Sequence, residues 1–205
     1  MKSQTPTCPE DCTIKCGGKT DFDPSCPRLT IATAALLSQI DFSTEKDTKN
    51  ARGDGMNLTE HFTREEMERS STAIRLGLSN TCPPEMIDNM LLVAIVLEKI
   101  RAHFGKPIHV TSCYRSSAVN RAVGGSPTSA HRVALAADFE VKDVANYDVC
   151  KWVIENITDY DQIINEFPET GGWVHIGFTH GTPRKQALTA RKNGRVTVYV
   201  NGLVG

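Results

Sequence analysis

Ser129-Ala130-His131-Arg132-Val133-Ala134-Leu135-Ala136-Ala137-Asp138-Phe139 passes from a loop into a strand, and its parity orients the residues around it. Side chains alternate across a strand. Leu135, Ala137, Phe139 and Val141 therefore face one way, and Ala136, Asp138 and Glu140 the other. The first set is apolar and makes the core face, so Asp138 is expected on the open side beside the very small Ala136. The same alternation holds in Trp173-Val174-His175-Ile176-Gly177-Phe178. Val174, Ile176 and Phe178 form its buried face; Trp173, His175 and Gly177 form the other. A carboxylate and an imidazole thus each stand on the open face of a strand, flanked by a residue small enough to admit a ligand. His131 lies in the loop entering the first strand and can swing to meet them.

Two imidazoles and one carboxylate suit zinc. Three protein ligands leave one tetrahedral position free, which is how catalytic zinc sites differ from closed structural ones. A plainer reading makes His131 a loop histidine and Asp138 a solvated strand residue. Spacing, parity and small neighbours leave the two readings level.

Working outward, Thr63-Arg64-Glu65-Glu66 has the form of a capping box and predicts a helix start. Pro83 and Pro84 precede a second helix running to about Phe104 and ending at Gly105. Its apolar residues Ile87, Met90, Leu91, Ala94 and Leu97 recur at helical spacing. A strand is expected at Ile108 to Thr111, a short helix over Ser117 to Val123, a loop at Gly124 to Pro127, and a strand from Leu135 to Val141. A helix follows from Asn146 to Asn156 with Val149, Trp152 and Val153 inward. Three more strand candidates are Gln162 to Asn165, Trp173 to Phe178 and Val196 to Val200. Helices come early and strands cluster late, the order of an α+β domain with an antiparallel sheet.

Residues 56–205 form that domain, preceded by a distinct stretch, 1–55. The latter holds Cys8, Cys12, Cys16 and Cys26, four of the seven cysteines in the chain, then a polar linker-like segment from Ser43 to Gly55. The four sulfurs could hold a second, structural metal, pair as disulfides, or stay free thiols; the spacing does not choose among these. The net charge of −1 gives no reason to expect nucleic acid as a partner. No apolar run approaches the roughly 18 residues of a bilayer span, so no membrane insertion is expected. Lys2 is followed by polar residues and Cys8 rather than an apolar stretch, which reads as synthesis in the cytoplasm without a signal peptide.

Ser-x-His-x-x-x-x-Ala-x-Asp over 129–138, followed by Trp173-Val174-His175, resembles the zinc D-Ala-D-Ala carboxypeptidase family of murein peptidases. This family belongs to the wider group that includes lysostaphin, D-Ala-D-Ala dipeptidases and hedgehog domains, and the version here most resembles its small phage and bacterial members. The resemblance covers roughly residues 57–190. It includes Val110-Thr111-Ser112-Cys113-Tyr114-Arg115-Ser116, Asn120-Arg121-Ala122-Val123-Gly124-Gly125, and Asp161-Gln162-Ile163-Ile164 with Glu166-Phe167.

The resemblance implies a small antiparallel sheet with helices packed on one side, and one catalytic Zn2+ held by His131, Asp138 and His175. It gives Arg115 the task of binding a substrate carbonyl or carboxylate and steadying the oxyanion, and Ser129 that of hydrogen-bonding the substrate backbone. The chain departs from the family in having Ala134 and Cys113 where glycine is common. It also has Gly172 where many relatives carry an acid three residues before the last histidine. Glu166 is the candidate base instead, with Glu169 its rival. The implied activity is hydrolysis of a peptide bond in peptidoglycan stem peptides or cross-links. The enzyme would act on the cell wall after release or be carried in a phage virion, with virion proteins as partners through the N-terminal extension. A binding or structural module of the same fold is the alternative. Which bond is cut stays open.

Overall fold

A computed structural model describes residues 57–204. The cysteine-rich extension, with Cys8, Cys12, Cys16 and Cys26, and the boundary at residue 56 lie outside the described residues.

The helices are α1 (Arg64–Glu68), α2 (Ser71–Leu76), α3 (Ile87–Phe104), α4 (Ser117–Ala122) and α5 (Asn146–Asn156). The strands are β1 (Ile108–Ser112), β2 (Ala136–Val141), β3 (Gln162–Glu166), β4 (Trp173–Gly177), β5 (Gln186–Asn193) and β6 (Val196–Asn201). Helix α1 starts where the capping motif places it: Thr63 Oγ1 accepts from the Glu66 N–H at 3.2 Å. Helix α3 stops at Gly105, whose φ of 61° is the left-handed cap that glycine adopts readily. This helix buries Met90, Ala94 and Leu97, and also Val93, Val96 and Ile100, so more of its circumference is enclosed than one apolar stripe. In α5, Val149 and Val153 are buried with Cys150, whereas Trp152 turns sideways to stack on His103 of α3 at 4.6 Å.

The six strands form one sheet in the order β1-β2-β4-β3-β5-β6. The expectation of an antiparallel sheet needs correction, because β3 and β5 run parallel. Strand β5 was not among the expected strands. It returns alongside β3 after the 178–185 loop, where the Arg184 guanidinium and backbone N–H both bond Asp161 at the foot of β3. Strand β3 lies between β4 and β5, so the loop must pass its foot before the chain turns up again, a displacement that a tight hairpin between adjacent strands cannot make.

On the core face, Val110, Ala137, Phe139, Val174, Ile176 and Ile163 are 5% exposed or less; β2, β3 and β4 pack toward α3 and α5, and β1 toward α1. Strand β3 is buried on both sides, since Ile164 on the opposite face is enclosed with Leu188 and Ala190 beneath Phe167. One β-bulge between Val110 and Ser112 shifts the β1–β2 register so that Ser112 lies opposite Asp138. A bulge re-aims the chain that follows it, and here that chain is Cys113 to Arg115.

Candidate metal centre

The register places the two strand-borne ligand candidates side by side. Asp138 on β2 is paired directly with His175 on β4. Their side chains share a face, with Ala136 opposite Gly177 in the next row. A Cβ built on Gly177 would stand 3.4 Å from His175 Nε2, in van der Waals contact with the imidazole. The expected parity is therefore correct, but the expected openness is not: Asp138 is 5% and His131 2% exposed. His131 sits in a 3-10 turn, Ala130–Val133, rather than a free loop. That turn packs over the β2 face and covers it.

The turn closes on Ala134, at φ 56°, whose N–H bonds back to the carbonyls of Ala130 and His131. This left-handed conformation explains why glycine suits position 134; alanine there costs about 1 kcal/mol. Asn120 braces the preceding loop by donating from Nδ2 to the carbonyls of Gly125 and Ser126. A Cβ on Gly125 would fall 2.3 Å from Asn120 Oδ1, so the Asn-to-Gly spacing of the motif is a packing requirement.

Three atoms converge. His175 Nδ1 is 2.8 Å and His131 Nε2 3.2 Å from Asp138 Oδ1, and the two ring nitrogens are 3.3 Å apart. Tetrahedral zinc with bonds of about 2.0–2.1 Å separates its ligand atoms by roughly 3.3 Å. His131 Nδ1 is committed to the Cys113 carbonyl at 2.7 Å. Nδ1 must then be the donor, leaving the Nε2 lone pair aimed at the other two groups. Lone pairs meeting at such distances need a cation or a proton between them. The donor set, its spacing and the outer support of His131 all fit zinc.

Electrostatics agree. Burial lowers the His131 pKa, outweighing the nearby Asp138 charge, and so favours the neutral ring that a metal needs. Burial by itself would raise Asp138, but positive charge and hydrogen bonds from His131 and His175, when those rings are protonated, hold its carboxyl well below the usual carboxylate range.

Arg115 bonds through Nη2 to Asp138 Oδ2 and through Nε to Ser112 Oγ at 2.8 Å. The bulge and a bond from the Arg115 N–H to the His131 carbonyl place it there. It therefore orients the Asp138 carboxylate, and among the described residues its Nη1 makes no hydrogen bond. Ser129 opens the 3-10 turn without a side-chain capping bond, so among the described residues its hydroxyl is not tied to the backbone.

Glu166 ends β3 on the ligand face, opposite Trp173 and two residues beyond Ile164, which is opposite His175. Burial, reinforced by the Asp138 charge, lifts its carboxyl from 4.5 to about 7. Phe167, at φ 54°, swings its ring against Ile164, Leu188 and Ala190 and onto Trp173, with centroids 5.3 Å apart. The longer hairpin also accounts for Gly172: a Cβ there would stand 1.6 Å from the Glu166 carbonyl oxygen, so this position cannot hold an acid. Glu169 is exposed in the 3-10 turn Pro168–Thr170 and paired with Arg191 at 2.9 Å. Ser112 and the Cys113 carbonyl were missed as supporting groups. Their only sequence signal is membership of the motif around Arg115.

Residues 60–177, more than half of the 205-residue chain, match the family model described as Peptidase M15. No curated protein matches the chain.

Proposed function

The chain belongs to the M15 peptidase family, and on that premise we propose that it is a zinc metallopeptidase that hydrolyses a peptide bond in peptidoglycan stem peptides or cross-links. The observation that carries this reading is the meeting of His131 Nε2, Asp138 Oδ1 and His175 Nδ1 within 3.3 Å of one another. Those residues would hold the ion, which supplies Lewis acidity to a scissile carbonyl and acidifies water. Glu166 accepts a proton at its carboxylate from the attacking water and returns it to the departing amine. A carboxyl near 7 suits both directions of that transfer. Arg115 fixes Asp138 and offers Nη1 to the substrate carbonyl or carboxylate, and the Ser129 hydroxyl bonds the substrate backbone. Phe167 and Trp173 keep bulk water from Glu166. In the same reading the enzyme acts on the cell wall after phage-driven release, or from within a virion.

Among the described residues no helix is long and apolar enough to cross a membrane. The test is incubation of the zinc-loaded protein with purified peptidoglycan and mass analysis of the soluble products. New amino and carboxyl ends are expected at one type of bond, and a chelator should stop their release. Zinc-loaded protein that leaves the wall peptides intact would instead indicate a binding module.

A further inference from the structure

The family match ends at residue 177, but the sheet face that carries the site continues across β5 and β6. In the row containing Glu166, Ala190 lies opposite it on β5 and Tyr199 opposite Ala190 on β6. With strands about 4.8 Å apart, the Tyr199 backbone is roughly 10 Å from that of Glu166. Only a methyl group, that of Ala190, rises between them in this row. Lys192 and Thr197 form the next row on the same face. Lys192 Nζ stands 2.9 Å from Thr197 Oγ1 and 4.7 Å from the centroid of the Phe167 ring. Phe167, Lys192 and Tyr199 thus border Glu166 on the side away from the metal ligands.

Two features set this border apart from an ordinary strand surface. The charge of the neighbouring Arg191 is taken up by Glu169, whereas Lys192 forms no salt bridge among the described residues. Tyr199 is 55% exposed although it lies on the site face. The phenol, a donor at neutral pH as in any tyrosine, is pushed further from ionisation by partial burial and by the charges of Glu166 and Asp138.

We propose that Lys192 and Tyr199 form a carboxylate-recognition subsite, across Glu166 from His131, Asp138 and His175, that selects peptides carrying an acidic group near the scissile bond. It rests on the peptidase reading. An ammonium held over an aromatic ring and a phenol hydroxyl donate to one carboxylate, and charge-assisted bonds of this kind are the stronger class. The Phe167 ring beside them offers apolar surface to a small side chain. The carboxylate is either the C-terminal one of the peptide or one borne by an internal residue.

Steady-state kinetics of the zinc-loaded full chain on a stem pentapeptide distinguish these sources. Three forms are compared: the free acid, the C-terminal amide, and the amide of the internal glutamate. Wild type should show a KM about tenfold lower for the free acid than for whichever amide lacks the recognised group, corresponding to about 1.4 kcal/mol. Lys192→Met and Tyr199→Phe should bring the acid's KM up to that amide's value with zinc content equal to wild type, and Lys192→Arg should restore discrimination. Wild type that cleaves all three alike, or variants that shift acid and amides equally or not at all, would overturn the subsite and leave the peptidase reading intact. Zinc-loaded wild type that cleaves none of them overturns both.

Discussion

In the proposed mechanism the carboxyl of Glu166 serves as base for the reason that makes it costly to the fold. Burial raises it to about 7, so in the folded chain it holds a proton that an unfolded chain releases near 4.5. The native state binds the extra proton between those values, so the stabilising contribution is complete below 4.5 and is lost as pH rises through 7. Glu166→Gln should therefore melt at a higher temperature than wild type at pH 8 and approach it at pH 4.5, with chelator in both samples. Activity runs the other way. The base must be ionised, so kcat/KM should fall about tenfold per unit once pH drops below the Glu166 pKa, which a bound cation draws down from its metal-free value. Glu166→Gln should lose roughly 10²- to 10⁴-fold in kcat while retaining zinc, measured by metal analysis of the purified variant. Full activity in that variant would return the role of base to another group. His131 has the opposite linkage: burial lowers its pKa, so its contribution is present above the ordinary 6.5 and is lost as pH falls.

Glu166 keeps its place through the β3–β4 hairpin, and the hairpin turns on backbone conformations that ordinary side chains resist. Phe167 and Gly171 both have positive φ, and Gly172 lies so close to the Glu166 carbonyl that any Cβ must displace it. Gly172→Ala is expected to cost about 2 kcal/mol or more, a size usual for strain at such positions, and to lower kcat by moving the base. Urea denaturation at constant m-value, paired with kinetics, checks both effects; an unchanged midpoint would show that the hairpin relaxes freely. The hairpin's strands were legible in the chain because Ile163 and the alternation in Trp173 to Phe178 mark them. Strand β5 was not. Gln186-Ala187-Leu188-Thr189-Ala190-Arg191-Lys192-Asn193 has few of the β-branched and aromatic residues that favour strands, and pairing with β3 and β6 holds it instead. That same gap hid Lys192 as a neighbour of the site.

For the molecule as a whole, a metal that binds only the folded chain links function to stability. Free zinc at one hundred times its dissociation constant should add about 2.7 kcal/mol, or roughly 5–10 °C in melting temperature for a chain of this length. Calorimetry with zinc and with chelator measures the difference, and replacing Asp138 by Ala should abolish it. An equal shift in that variant would place the bound metal elsewhere. The identities and spacing of His131, Asp138 and His175, the alternation of β2 and β4, and the motif around Arg115 are properties of the chain alone. Together they marked the three candidate ligands and carried the family resemblance, because strand parity and residue chemistry are local. Only the tertiary structure decided that the ligands are buried, that Arg115 holds Asp138, and that a parallel β5 extends the sheet. It also decided that position 172 must be glycine and that Glu166 lies near Tyr199 and Lys192. Those outcomes depend on which strands become neighbours and on what covers each face, and such long-range pairings leave no regular interval in the chain that could announce them.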